Sequence, residues 1–403
     1  TWLGHNENWN DWSNWSNGVP WDCTDVYIPT RDVKGGNEVI GIPSDFTGIS
    51  KYPDLKEIRY GNKYSAEYYC DNIYFAPGAE LVGQHNLHYS GKVFIDTELK
   101  SGYYNLMSAP LQDMVTGDMF IAKKASDWEG WRDDAFGNYF KPIDATTDGS
   151  YTAYEEQRTN PFIYQRFWSS GDDKVWNETL SRSSTRDDYD NTEDEAIECD
   201  LLTTDWSRTF NSVESAYEKG QGFAVRAGDE GVTNSNYTFH FPKSHTSYHY
   251  YNNLGTELKG SGTISRTNAG KLWIDTTNPD LSVTLTRKSL GNLFLFGNPM
   301  MSHIDIRQFL AKNKNVSSVL VYDKSQKEYV TISNGASTSS TSSITQIAPM
   351  EAVFLQTGSS APLLAVELSD AMLVQGNSVS RTAAAPNQLR LTATSRGHSA
   401  SCV

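Results

Sequence analysis

The sequence is short of the features that usually announce a reaction or a membrane. Its four cysteines, Cys23, Cys70, Cys199 and Cys402, include no Cys-x-x-Cys pair, so a zinc ribbon or a thioredoxin-type motif is unsupported. No apolar run approaches the roughly 20 residues of a membrane span. Gly-x-Ser-x-Gly, His-Glu-x-x-His and the P-loop pattern are all absent, which removes the commonest hydrolase, zincin and nucleotide signatures. Positive charge is also scarce: 34 Lys and Arg stand against 49 Asp and Glu, a net charge of −15. That balance argues against nucleic acid or an anionic membrane as the main partner. The eight histidines are scattered. His85 and His88 would face opposite sides of a strand, and His240, His245 and His249 sit among Phe and Tyr as strand or surface aromatics.

Aromatic residues are abundant instead, and five of the 11 tryptophans fall in the first 21 positions: Trp2, Trp9, Trp12, Trp15 and Trp21. Their spacing fits neither strand alternation nor a helical face, and Gly, Asn and Ser between them discourage a helix. Two readings follow: a small aromatic core that pins the N-terminal segment, or an exposed platform for stacking sugar rings. Elsewhere Thr, Ser, Tyr, Val and Ile alternate with Gly and Asn, which predicts a mostly β chain. Its 403 residues exceed the usual capacity of one core, so two or three domains are expected. Cys23 and Cys70 flank the strand-like Asp25–Ile28 and Asn72–Phe75 and are a disulfide candidate. Cys199 and Cys402 are read as free. An oxidising compartment fits this usage.

An internal repeat organises the rest. Lys92-Val-Phe-Ile-Asp-Thr97 recurs as Lys271-Leu-Trp-Ile-Asp-Thr276. Leu106-Met-Ser-Ala-Pro110 precedes Phe120-Ile-Ala-Lys123 by the same interval that separates Leu295-Phe-Gly-Asn-Pro299 from Phe309-Leu-Ala-Lys312. Gly222-Phe-Ala-Val225 then matches Ala352-Val-Phe-Leu355. Three matches in one order predict duplication. Each copy reads as a strand, a second strand ended by its proline, a short helix, an insertion and a closing pair of strands. In the second copy Ser302 is the expected N-cap, with Ile306, Phe309 and Leu310 as the apolar stripe. The stretch from Pro110 to Gly228 is twice as long as its counterpart from Pro299 to Gly358.

The predicted fold class is therefore all-β. An N-terminal Trp-rich β unit at 1–84 leads to a β-sandwich-like repeat at 85–253, with a long aromatic and acidic insertion at about 124–215. A second repeat at 254–377 is followed by a linker and the start of a further β segment at 378–403. The strand-like Gln388–Ala393 suggests a fragment of a longer protein.

In the order of its motifs the chain resembles a group of large multi-domain cell-surface proteins of Bacteroidetes. The resemblance is carried by Trp2-x-Gly4, Asp11-Trp12, Asn14-Trp15 and Gly18-x-Pro20, then by Val26-Tyr-Ile-Pro29, Tyr52-Pro53, Cys70-Asp-Asn-Ile73 and Gly78-Ala-Glu-Leu81. The Ser108–Phe120 and Gly297–Phe309 blocks complete it. It covers most of residues 1–375 and specifies an architecture rather than a reaction. It implies exported, extracellular cargo of the type IX secretion kind, although the C-terminal sorting domain of that group is not among these residues. It also implies O-glycans on Asp-Ser/Thr-x sites, which makes Thr276 in Asp275-Thr276-Thr277 a candidate.

The insertion supplies the remaining candidates. Trp128, Trp131, Trp168 and Trp176 are the candidate ligand-binding residues, because they cluster where the second copy has no counterpart. Asp188, Asp190, Thr192 and Asp194 fall at alternate positions, as oxygen ligands in a calcium loop do, which makes Asp188, Asp190 and Asp194 calcium candidates, but the sharp-turn Gly and the final Glu are missing. No cofactor other than this candidate calcium is expected. The leading expectation is a non-catalytic adhesive module that binds a glycan or a host or surface protein. A structural component of a surface layer or filament, self-associating or docked on an outer-membrane partner, is the alternative. A glycan-active hydrolase needs two facing carboxylates, and nothing in the sequence singles out a pair.

Overall fold

The computed structural model describes residues 1–36, 41–56, 67–100, 105–114, 216–227, 268, 270–287, 292–323, 328–333, 344–358 and 361–376. It also describes strand segments at 120–123, 132–133, 139–142, 163–168, 206–208, 236–241, 250–251, 257–258, 336–337, 391–395 and 398–402. Among the described residues the fold is mainly β, with one α-helix, Ile306–Lys312. No helix among them is long and apolar enough to cross a membrane.

The strand predicted around Val26–Ile28 pairs in parallel with Ile73–Phe75, which pairs in parallel with Val93–Lys100. Each short strand buries its outer two side chains, as alternating Val-Tyr-Ile and Ile-Tyr-Phe dictate. Antiparallel pairing of Asn236–Phe241 with Val93–Lys100 extends this sheet to seven strands. The sheet thus runs across the sequence boundary expected at 84. One apolar core joins Trp2, Trp9 and Trp15 to Val93, Met107, Phe223, Leu272 and Met350.

Two further sheets correspond strand for strand. One runs Trp206–Arg208, Ile163–Trp168, Gly222–Ala227, Asn105–Ser108; the other runs Glu328–Ser333, Val316–Asp323, Ala352–Thr357, Leu293–Gly297, with Ala336–Ser337 added at its edge. The registers also coincide under the sequence matches. Gly222 pairs with Ser108 and Val225 with Asn105; Ala352 pairs with Gly297 and Leu355 with Phe294. Trp168 lies opposite Trp206 where Tyr322 lies opposite Tyr329.

The strand pair Asn105–Ser108 with Gly222–Ala227 meets the pair Leu293–Gly297 with Ala352–Thr357 through reciprocal contacts. Met107 bridges to Glu351, and its counterpart Phe296 bridges to Gln221. The Ser108 N–H donates to the Met350 carbonyl and the Gly297 N–H to the Gly220 carbonyl, both at 2.8 Å. Met350 and Gly220 share a positive φ, 58° and 68°, the conformation that turns each carbonyl toward the other strand pair. The backbones approach so closely that a Cβ on Gly297 would lie 2.5 Å from that of Ser108, and one on Gly222 2.6 Å from that of Ala352. Only glycine fits at either position.

Three local expectations are corrected. The helix expected in both copies forms in the second alone: Phe120–Lys123 is a strand paired with Asn236–Phe241. Phe309–Lys312 is helical because Asp305 accepts from the Gln308 N–H at 2.8 Å and Ile306, Phe309 and Leu310 bury one face. At the matching positions the first copy has Gly117 for Ile306 and the β-branched Ile121 for Leu310, both poorer helix formers. The N-cap is Asp305 rather than Ser302, which is buried three residues upstream. Finally, Lys92–Thr97 joins a long strand but Lys271–Thr276 does not, since the Asp275 carboxylate accepts from the N–H groups of Thr277 and Asn278 and turns the chain back.

The close approach is testable. Gly297→Ala and Gly222→Ala are each expected to destabilise the fold by about 1–3 kcal/mol through overpacking. Gly358→Ala, whose added Cβ meets open space, should leave stability within about 0.5 kcal/mol. Urea unfolding of the three variants measures the contrast.

Candidate functional site

The tryptophan-rich entry segment divides into an inner and an outer set. Trp2, Trp9 and Trp15 are buried. The Trp15 ring stands edge-on to Trp2 and to Trp9, with centroids 5.0 and 4.8 Å apart. Two of the three polar edges are led to backbone: Trp15 Nε1 donates to the Trp9 carbonyl at 2.6 Å and Trp2 Nε1 to that of Lys51 at 2.8 Å, while the buried Trp9 Nε1 has no hydrogen-bond partner among the described residues. Trp12 and Trp21 lie outside this triad, 76% and 69% exposed.

A polar frame fixes Trp12 outward. It opens a single 3-10 turn, Trp12–Asn14, capped by Asp11, which accepts from the N–H and hydroxyl of Ser13 at 2.9 and 2.7 Å. Those bonds, together with one from the Asn6 amide, hold the Asp11 carboxyl below its ordinary range. Asn14 is fully buried and donates to Asn6 Oδ1 and the Asn8 carbonyl, both at 2.8 Å. Trp21 begins a separate turn in which the Thr24 N–H donates to its carbonyl at 2.9 Å.

A run of polar and aromatic contacts starts beside Trp12 and ends beside Trp21. The Asn10 amide reaches the Glu67 carbonyl at 3.5 Å. The Tyr69 hydroxyl donates to Glu67 Oε2 at 2.5 Å, and the Tyr69 ring stacks on His88 with centroids 5.0 Å apart. The Glu67 bond, reinforced by the charges of Glu67 and Asp22, raises the Tyr69 phenol above its ordinary value. Asp22 follows Trp21 directly, and its carbonyl accepts from the Ser90 hydroxyl at 3.0 Å.

The buried carboxylates serve as ties rather than as reactive groups. Asp275, 2% exposed, accepts from the Tyr89 hydroxyl at 2.6 Å and from the Thr277 hydroxyl and N–H. Burial, then the Asp275 charge, raise the Tyr89 phenol far above its usual range. Lys271 lies over the Tyr89 ring at 4.5 Å and donates to the carbonyls of Ser90 and Gly91. Glu80 receives Arg31 at 3.3 Å on one oxygen; on the other it receives the Gly376 N–H at 2.7 Å and faces His303 Nδ1 at 3.3 Å. Burial pushes the Glu80 carboxyl up, but His303, the Gly376 N–H and Arg31 outweigh it and hold the group below its ordinary value. This clasp, with the Gln84 amide bonded to the Ile274 carbonyl and the Met301 N–H, fastens the entry segment to the second repeat.

The predicted site residues are dispersed or placed elsewhere. Trp168 is 3% exposed, edge-on to Phe354 at 4.3 Å, so it is a packing residue and the expectation of a ligand contact there is corrected. Trp128, Trp131, Trp176 and the calcium candidates Asp188, Asp190 and Asp194 lie outside the described residues. Among the described residues no group of three His, Cys, Asp or Glu is arranged to hold a metal ion. The Cys23–Cys70 disulfide is also corrected: both are free thiols. Cys70 ends the strand Tyr68–Cys70, whose alternation turns it into the core, while Cys23 is exposed in the Trp21 turn. Burial pushes the Cys70 thiol up to about 12, leaving it inert. Thr276 is half-buried and its hydroxyl donates to the Leu87 carbonyl at 3.2 Å. The residues that sequence reasoning left unassigned are Asn10, Glu67, Tyr69 and His88. The Asp11-Trp12-Ser13 cap was the available signal that Trp12 turns outward.

The chain matches no family model, no curated protein and no solved structure.

Two outcomes follow from these environments. Because Glu80 is held below its ordinary pKa in the folded state, its contribution is complete above that value and is lost as pH falls through the acid range. Glu80→Gln should therefore lower stability by about 1.5–3 kcal/mol at neutral pH, and the gap to wild type should close on acidification, as read by urea unfolding across pH. Thiol labelling mapped by mass spectrometry should modify Cys23 in the native protein and Cys70 only after unfolding.

Proposed function

We propose that the chain is a non-catalytic, extracellular cell-surface protein that recognises glycans. The observation that carries this reading is the division of the entry tryptophans: three are consumed in a core and two are left bare on a segment held rigid by hydrogen bonds. Trp is enriched at interfaces, where its ring meets a partner and its N–H finds an acceptor. The resemblance in motif order to exported Bacteroidetes surface proteins, carried by the type IX route, supports the location. The acidic balance turns the protein away from nucleic acid and toward uncharged partners.

In this reading the two repeats are duplicated β domains that have become one frame. Coincident strand order, register and reciprocal contacts support duplication, and the Glu80 clasp supports a rigid unit that presents the Trp-rich end. The frame has no reaction to perform; its work is to hold a surface in place.

A broad glycan array probed with the intact protein, with and without calcium, tests the proposal. Selective binding to a set of glycans is the expected result. Binding to none of them in either condition would contradict it.

A further inference from the structure

We propose that Trp12, Trp21 and the polar belt between them form a binding site for a neutral polysaccharide, whose pyranose rings stack on the two bare indoles. This rests on the glycan-recognition reading above and adds its site and ligand class.

Continuity is the first support. From Trp12 the belt passes through Asn10 to Glu67 and on to Tyr69, stacked on His88. Two residues beyond His88, the Ser90 hydroxyl continues it to the Trp21 turn, donating to the Asp22 carbonyl at 3.0 Å and to Asp71 Oδ1 at 2.8 Å. Groups from three separate stretches of sequence are therefore linked, contact by contact, from the neighbourhood of one exposed indole to that of the other.

The chemistry of that face is the second support. A pyranose presents an apolar C–H face and a rim of hydroxyls. Bare aromatic rings match the face, while the Glu67 carboxylate, the Asn10 amide and the Tyr69 hydroxyl match the rim. Anionic sugars are disfavoured, because Asp11, Asp22, Glu67 and Asp71 gather around the belt in a chain of net charge −15; like charge set against like charge selects against such partners. Rigidity is the third support. The Asp11 cap and buried Asn14 fix the Trp12 backbone before any ligand arrives, so little ordering remains to oppose binding.

Affinity electrophoresis and titration calorimetry of the intact chain test the site, using soluble β-glucan, xyloglucan and galactomannan as neutral polymers and hyaluronan and heparin as anionic ones. The expected result is binding to at least one neutral polymer and to neither anionic one. Trp12→Ala and Trp21→Ala should each weaken it roughly tenfold or more. Thermal midpoints should stay unchanged, since both rings lie outside the core, and Trp12→Phe should retain part of the affinity. Neutral-polymer binding that survives both alanine substitutions would overturn the site and leave the glycan reading standing. No binding of any glycan by the wild type would overturn both. Self-association that Trp12→Ala abolishes, without polysaccharide binding, would make a second copy the occupant and overturn the glycan.

Discussion

The edge-to-face packing of Trp2, Trp9 and Trp15 is the constraint on which the N-terminal end depends. Each such contact is worth about 0.5–1.5 kcal/mol beyond the area it buries. Trp9 and Trp15 are drawn inward on either side of a short turn that buries Asn14 and leaves Trp12 exposed. The Trp2 indole donates to Lys51 and its N–H to Tyr27, which ties the entry segment to a later loop and to the first strand of the large sheet. A segment whose only helical element is one 3-10 turn is thereby tied to the sheet.

The rest of the frame follows from close backbone approach. Gly222 and Gly297 let two strand pairs meet at a distance no side chain permits, and the positive φ of Gly220 and Met350 aims a carbonyl across each junction. Reciprocal contacts of this kind arise when the same patch appears on both partners, as in an isologous dimer. Here the partners belong to one chain. The Glu80 and Gln84 ties then close the entry segment onto the second repeat, so that loops distant in sequence share one core.

Much of this was legible in the sequence, and the exceptions have physical causes. The β character and the strands at Val26, Ile73, Leu106 and Leu295 could be read from alternation and terminal prolines. The repeat was legible as matched words, but the words did not guarantee matched structure. Lys271–Thr276 copies Lys92–Thr97 in letters, yet Asp275 bends it into a turn. Phe120–Lys123 copies a helix but is claimed by a neighbouring strand. The first is a local turn closed onto Thr277 and Asn278; the second was decided by a tertiary partner that is not visible locally. The tryptophans posed a choice between core and platform, and they divide between the two. Trp168 fell in a segment rich in aromatics, which gives no sign of which ring faces inward. Glu67, Tyr69 and His88 carry no motif, because their relation to Trp12 exists only after the chain has folded.

The most direct test is tryptophan oxidation mapped by mass spectrometry, with and without a neutral polysaccharide. The account predicts that Trp12 and Trp21 react first, that Trp2, Trp9 and Trp15 resist until the protein unfolds, and that the polysaccharide protects the first pair. Equal reactivity across all five, or full reactivity of Trp12 and Trp21 with polymer bound, would contradict it.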